Sequence, residues 1–442
     1  MDSTQQHVLT QIAESDVHFV RLWFTDLEGR LKSVAIPPAE VEKAFRSGVG
    51  FDGSAVEGLT RVYESDMVLR PDAQTFQILP WSHGQDARMF ADIDMRDGTP
   101  ALPDPRSILK RALLNAEDAG FTFMVHPEIE FYLFQLDDDP TAVPVPIDSG
   151  SYFDHVSHSL GHNFRREAIL MLEEMGIAVE FSHHESGPGQ NEIDLRATDA
   201  LTMADNIQTF RTVLEEVAIN EGIRVSFMPK PFSDKPGSGM HLHVSLFLGD
   251  HDAFYSPTDR YGLSLTARYF LAGVLQYAAQ MTAIENQHVN SFKRLAGGME
   301  APQWICWAPY NSTALVRVPS VDPHKPDETR FEVRSPDSAV NPYLAFAAIL
   351  TAGMAGIDSK AELMEPIEED VEKMTDLERE ALGIKRLPTS LAQALEQMQR
   401  SELMEKMLGE EAFDFFLRNK RQEWDAYRRQ VTDFERESFA RF

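Results

Sequence analysis

Four short segments of this chain place polar residues two apart inside runs that are otherwise apolar and aromatic. They are Glu128 and Glu130 in FMVHPEIEFYLF, Glu192 and Asp194 in GQNEIDL, His241 and His243 in GMHLHVSL, and Glu332 and Arg334 in TRFEVRS. A period of two is the period of a β-strand, so both members of each pair share a face. One such pair is the ordinary alternation of a half-exposed strand. Four together, flanked by residues such as Phe131, Tyr132, Phe134, Leu246 and Phe331, constrain the fold further. They predict strands whose polar face lines a cavity. Glu185, in SHHES, precedes Glu192 closely enough to reach the same place.

If Glu128, Glu130, Glu185, Glu192 and Glu332 share one cavity, they cannot all stay ionised unless cations compensate, because desolvation and mutual repulsion both raise carboxylate pKa values. Bound cations are therefore expected. Oxygen donors with one or two imidazoles and no cysteine favour Mg2+ or Mn2+ over a closed zinc site. Two divalent ions facing a nucleotide suit phosphoryl transfer. Arg294, Arg317, Arg330 and Arg334 follow one another in an otherwise acidic chain, and guanidinium forks fit carboxylate and phosphate groups. Such arginines are often plain surface charges, yet two of them flank Glu332 on one predicted strand. Gly237-Ser238-Gly239, just ahead of His241, reads either as a turn or as a close backbone approach to a ligand.

A chain of 442 residues exceeds the usual size of a single core, so a large domain with a smaller companion is expected. Asp97 to Pro105 is the clearest linker, dividing the chain into 1–105 and 106–442. In the first part, VHFVRLWFTDLEGRLKSVAI (17–36) predicts a hairpin around Asp26-Leu27-Glu28-Gly29, and PPAEVEKAF predicts a proline-started helix. Short strands are expected at 75–79 and 89–93. Beyond the linker, helical patterns at 106–119, 164–175 and 200–219 alternate with strands, and 387–427 reads as helical. The apolar stretch Tyr343 to Ile357, broken by Thr351, Gly353 and Gly356, predicts a buried helix rather than a membrane span. Trp304 and Trp307 are expected in the core.

Charge and cysteine use narrow the function. With 41 Lys plus Arg against 70 Asp plus Glu, the net charge of −29 repels phosphate backbones and anionic membranes, so neither nucleic acid nor a membrane is an expected partner. The start, MDSTQQHVLTQ, has no signal-peptide pattern, and Cys306 is the only cysteine; both point to a cytoplasmic protein. Gly48-Val49-Gly50-Phe51-Asp52-Gly53 fits a dinucleotide-binding pattern but follows a predicted helix instead of a strand, which excludes that use. No P-loop pattern is present.

Six motifs now carry a resemblance: FDGSAVEGLTRVYESDMVLRPD, HPEIEFYLF, HHESGPGQNEIDLR, MPKPFSDKPGSGMHLHVSL, NSFKRLAGGMEAPQ and RFEVRSPDSAVNPYLAF. In content and order they resemble the type I glutamine synthetases over nearly the whole chain. The resemblance implies an α+β protein: an N-terminal β-grasp domain and a C-terminal catalytic domain with a curved antiparallel sheet flanked by helices. It also implies a dodecamer of two hexameric rings with active sites between subunits. Glu130, Glu185 and Glu192 would hold one metal, and Glu128, His241 and Glu332 a second on the nucleotide phosphates. Glu180, His243, Ser245, Arg317 and Arg330 match ATP-contacting positions; Gly237, Arg294, Glu300 and Arg334 match glutamate-binding ones. Asp52 of an adjacent subunit, with Asp66 nearby and Glu300 on a flap, would bind and deprotonate the amine. Asp52, Glu300, Arg294 and Arg317 are thus the implied catalytic residues.

The implied reaction has two steps. The γ-carboxylate of L-glutamate attacks the γ-phosphorus of ATP, and a neutral amine then displaces phosphate from γ-glutamyl phosphate. Three positions depart from the pattern. Ser312 stands where the family usually has an arginine on the phosphate, Pro236 replaces an asparagine, and Ala55 replaces a serine after Asp52-Gly53. The Pro-Gly-Ser-Gly-Met-His stretch and the ending FDFFLRNKRQEWDAYRRQVTDFERE are more similar to second, actinobacterial-type paralogues, some of which ligate glutamate to polyamines. Glutamine synthesis is the leading expectation. A γ-glutamylpolyamine or other γ-glutamylamide ligase is the alternative, and a weakly active, nucleotide-binding regulatory paralogue is the third.

Overall fold

The hairpin and the proline-started helix both form, and they open a small mixed sheet. The computed structural model describes every residue except 57, 59–65, 138, 140–141, 156–158, 298–300, 321–327 and 440–442. Its first elements are α1 (Ser3–Glu14), β1 (Phe19–Thr25), β2 (Leu31–Ile36), α2 (Pro38–Ser47) and β3 (Val49–Asp52). They are followed by β4 (Asp66–Pro71), β5 (Gln77–Ile78) and β6 (Asp86–Met95). The strand order is β2-β1-β6-β4-β3, with β5 beside β6. β1 runs antiparallel to β2 and parallel to β6. The hairpin closes where Asp26 Oδ1 accepts the Arg30 N–H at 2.9 Å. Pro38 occupies the first helical position of α2, and Gly48 ends the helix at φ +71°. A side chain at Gly48 would run into Val68, so the first glycine of the dinucleotide-like pattern is a helix stop. The strand expected at 75–79 shrinks to β5 because Asp72 caps a 3-10 turn over Ala73–Thr75.

After the linker come α3 (Pro105–Asp118), β7 (Thr122–Gln135), α4 (Leu160–Glu174), β8 (Val179–His184), β9 (Gln190–Leu195) and β10 (Thr198–Asp199). Next are α5 (Ala200–Glu221), β11 (Ile223–Ser226), β12 (Met240–Leu248), β13 (His251–Asp252), α6 (Leu265–Glu285) and α7 (Ser291–Leu295). β14 (Trp304–Ala308), β15 (Ala314–Arg317), β16 (Phe331–Val333), α8 (Pro342–Ser359), α9 (Asp376–Ala381) and β17 (Lys385–Arg386) complete the second sheet. The chain closes with α10 (Leu391–Gln399), α11 (Glu402–Leu408), α12 (Glu410–Tyr427) and α13 (Asp433–Phe439). The predicted helical run at 387–427 is thus three helices, interrupted where Ser401 caps α11 and Gly409 turns to φ +83°.

Among the described residues, eleven strands form the second sheet, in the order β17-β14-β15-β16-β12-β7-β9-β8, with β10 and β11 beside β7 and β13 beside β12. Only β14 and β15 pair in parallel among them. One face is apolar: Val125, Ile129, Phe131, Ile193, Leu242 and Val244 share a core with α5, α6 and α8. Trp307 lies in that core, whereas Trp304 is half-buried with the guanidinium groups of Arg379 and Arg386 over its ring. The two sheets are joined by Arg106. Its guanidinium reaches Asp72 and Asp92 of the first unit and Asp205 on α5, and Tyr343 Oη donates to Asp205 at 2.6 Å.

α8 is long and apolar enough to cross a membrane, but most of it is buried inside the protein. Its glycines explain why. A Cβ on Gly356 would fall on the Tyr269 carbonyl oxygen, and one on Gly273 of α6 would lie 2.8 Å from Gly356 Cα, so the two helices meet backbone to backbone. Gly356→Val should therefore destabilise the protein by about 3 kcal/mol through overpacking. A clear fall in the thermal melting midpoint, followed by circular dichroism, is the expected outcome; an unchanged midpoint would contradict this packing.

Candidate active site

Strand register gathers the polar pairs. β12 lies beside β7 so that His241 faces Glu128 and His243 faces His126. On the other side of β7, β9 brings Glu192 opposite Glu130 and Asp194 opposite Glu128. β16 sets Glu332 against His243, β15 sets Arg317 against Glu332, and β8 sets His183 against Glu192. Because the intervening residues turn into the helix-covered core, all of these side chains share the opposite face.

The first of two clusters is Glu128, His241 and Glu332, whose ligand atoms all lie within 4.8 Å of one another. His241 Nδ1 is 3.0 Å from one Glu128 oxygen, and His243 Nε2 is 2.7 Å from the other. Glu332 is fully buried and ion-paired with Arg317 and Arg334. Burial raises both carboxyl pKa values, but the surrounding cations reverse the outcome. Hydrogen bonds from His241 and His243 hold Glu128 far below the usual carboxylate range. Arg334, His241 and His243 hold Glu332 low. This cluster is ionised and locally balanced.

The second cluster is not balanced. His183, Glu185 and Glu192 bring ligand atoms within 4.8 Å, with His183 Nε2 3.1 Å from Glu192. Glu130 joins them from β7, accepting the Gly239 N–H at 2.9 Å and Gln190 Nε2 at 3.1 Å. Burial, then the charges of Glu192 and Glu185, push the Glu130 carboxyl well above its ordinary value; Arg294 opposes them. Burial, Glu192 and Glu128 push Asp194 up to about 10. Carboxylates so placed take up protons or a cation. The oxygen-rich donors with a single imidazole fit a hard divalent ion here, and the Glu128 cluster offers a comparable set.

Arg294 is buried and donates to the carbonyls of Ser335 at 2.8 Å and Arg334 at 3.1 Å. The glycines before His241 make room for it: a Cβ on Gly237 would sit 2.7 Å from Arg294 Cγ. The close approach read from the sequence is thus met by a side chain of the protein itself. Pro236 offers its carbonyl to Tyr132 Oη at 2.9 Å. Beside the Glu128 cluster opens a cavity of about 300 Å3, lined by Met124, His126, Glu180, His243, Ser245 and Arg330. Arg330 Nε donates to His243 Nδ1 at 3.2 Å.

Two expected residues lie elsewhere. Asp52 and Asp66 face each other across β3 and β4, exposed to solvent. Their described partners are Ser54 and Arg96, both of the first unit. Glu300 lies outside the described residues. Ser312 is exposed in a turn held by Asn311, whose side chain accepts the Thr313 N–H at 3.0 Å. Sequence reading passed over His183, Gln190 and His126. His183 stands two before Glu185 and so shares its parity, but only the β8–β9 register puts it on Glu192.

Comparison with known proteins adds a family. Residues 102–439 match the family model of the glutamine synthetase catalytic domain, and residues 16–95 match that of the glutamine synthetase beta-Grasp domain. The chain is 54% identical over 443 residues to a glutamine synthetase of Mycolicibacterium smegmatis, covering 99% of each chain. It is also 54% identical to one of Mycobacterium tuberculosis, covering 98% of each. A solved GmaS/ADP complex is similar in structure, with a TM-score of 0.88, 30% identity, and coverage of 98% of this chain and 99% of that one.

The unbalanced cluster makes a pH prediction. Glu130 and Asp194 have folded pKa values raised above their unfolded ones, so their contribution to stability is present at low pH and lost as pH rises through the range between. A divalent cation competes with those protons. Without metal, the melting midpoint should fall between about pH 6 and about pH 8, and added Mg2+ or Mn2+ should raise it more at the higher pH. Equal metal stabilisation at both values would contradict the charge imbalance.

Proposed function

The chain belongs to the glutamine synthetase family and is an ATP-dependent ligase, and we propose that it joins ammonia to the γ-carboxylate of L-glutamate through γ-glutamyl phosphate. One observation carries this reading: two carboxylate–imidazole clusters lie side by side on one sheet face, with Arg317 and Arg334 bound to one of them. Glu130, Glu185 and Glu192 would hold a divalent ion near the glutamate, with Glu128, His241 and Glu332 holding another near the nucleotide phosphates. Mg2+ or Mn2+, when bound, neutralises charge on the transferring phosphoryl group.

The protein's own groups do the rest. Glu180, His243, Ser245, Arg317 and Arg330 bind ATP, the last two countering phosphate charge. Arg294, held beside Gly237, and Arg334, paired with Glu332, take the glutamate carboxylates. Ammonium is no nucleophile, so a carboxylate has to attract it and remove its proton; Asp52, Asp66 and Glu300 serve there. Because Asp52 and Asp66 sit exposed on the first unit, they would complete a neighbouring subunit's site in a dodecamer of two hexameric rings. The β-grasp domain spans 1–105 and the catalytic domain 106–442 in this reading, and the enzyme works in the cytoplasm on small-molecule substrates.

The Pro-Gly-Ser-Gly-Met-His stretch, together with the likeness to GmaS, favours a second reading in which a larger amine is the acceptor. Phosphate release from ATP, with Mg2+ and glutamate, separates the two when ammonium, methylamine, putrescine and spermidine are compared. Glutamate-dependent release fastest with ammonium is the expected result; preference for another amine would replace the leading reading with the second. Silence with all four would favour a regulatory paralogue. Ser312→Arg should raise turnover by about tenfold or more, since it restores a donor for developing phosphate charge. No rise would show that Ser312 is not the limiting departure.

A further inference from the structure

His126 is a polar residue of the site that these roles leave unused. It lies two positions before Glu128 on β7 and therefore on the same face. Its ring stacks on His243, with centroids 5.0 Å apart and planes 26° from parallel. His126 Nε2 is 3.3 Å from Glu180 Oε2, yet it is buried and makes no hydrogen bond among the described residues. His126 and Glu180 both line the cavity of about 300 Å3.

A buried ring nitrogen that faces a carboxylate without forming a hydrogen bond is costly, and a ligand group that supplied the bond would remove the cost. The neighbours say which group. Glu180 is an acceptor-only carboxylate that repels a phosphate. Both nitrogens of His243 already meet protein groups, Glu128 and Arg330, whereas His126 Nε2 does not form a hydrogen bond among the described residues. Two residues of strand separate His126 from Glu128, a rise of roughly 6.8 Å. If the Glu128 cluster takes the terminal phosphates, that step reaches past them toward the sugar. A hydroxyl suits the gap, because it can donate to Glu180 and accept N–H from His126 at the same time.

We propose that His126 reads a ribose hydroxyl of the bound nucleotide, shared with Glu180, and thereby selects ribonucleotides over their deoxy counterparts. This rests on the nucleotide site proposed above. The Glu180 side chain is about half exposed, so it adjusts to the ligand, whereas His126 is fixed by its stack.

The test is calorimetric binding of ATP, 2′-deoxy-ATP and 3′-deoxy-ATP to the full-length protein with Mg2+. The wild type should bind ATP about tenfold more tightly than at least one deoxy analogue, because the missing hydroxyl leaves buried polar groups unpaired. His126→Ala should lower ATP affinity by about that factor and leave that analogue unchanged, so the preference disappears. His126→Gln, which keeps an N–H donor, should retain part of it. Two results would overturn the proposal: a wild type that does not discriminate, or a His126→Ala protein that loses affinity equally for all three nucleotides, as lost packing would cause. Failure of the wild type to bind any of them would overturn the nucleotide-site reading as well, so the two failures are distinguishable.

Discussion

Crowding of buried carboxylates on one face of a sheet governs the rest of this molecule. Glu128, Glu130, Glu192, Asp194 and Glu332 come from β7, its neighbour β9, and β16 beyond β12, and burial works against the ionised form of such carboxylates. The protein resolves the conflict differently in the two halves. Around Glu332 it supplies its own partners: Arg317 and Arg334 pair with that carboxylate, and His241 and His243 hydrogen-bond to Glu128, which holds both carboxyl groups low. Around Glu130 it supplies too few, and the Glu130 carboxyl is left far above its usual range. An imbalance of that kind is expensive in a structural ion-pair network but suits a place that fills with metal.

Holding such a face together requires an opposite face that does not yield. The alternate residues of β7, β9 and β12 pack against α5, α6 and α8 in a dense apolar core, and the meeting of α6 with α8 at Gly273 and Gly356 leaves no slack there. Arg106, bound to carboxylates from both units, fixes the small sheet to the large one. The exposed pair Asp52 and Asp66 is thereby presented on the outside of the chain, in keeping with service to a neighbouring copy.

Much of this was legible in the sequence for a definite reason. The period of two in HPEIEFYLF, GQNEIDL and GMHLHVSL fixes which residues share a face, and the expected hairpin, α2 and α8 follow from local signals carried by Gly29, Pro38 and the broken apolar run near Gly356. What parity cannot give is register. That His183 belongs with Glu192, and that His126 stacks on His243, depends on how far each strand slides past its neighbour, which is set by the loops and the core. The glycines at 237 and 239 illustrate the same limit from the other side: their need for space was readable, but the occupant, Arg294, comes from α7. The shortening of the 75–79 strand reflects a local competitor, the Asp72 cap, that strand patterning does not weigh.

Activation of the glutamate carboxylate by phosphoryl transfer is the chemistry we propose for this charge arrangement. It is tested most directly by following oxygen. With ATP, ammonium and L-glutamate labelled with 18O in its γ-carboxylate, attack on the γ-phosphorus places one labelled oxygen on the phosphate that later leaves, and mass spectrometry of the released phosphate should find it there. Phosphate free of label, produced at the rate of the full reaction, would mean that water and not the glutamate carboxylate attacks ATP, and would contradict the proposed role of the two clusters.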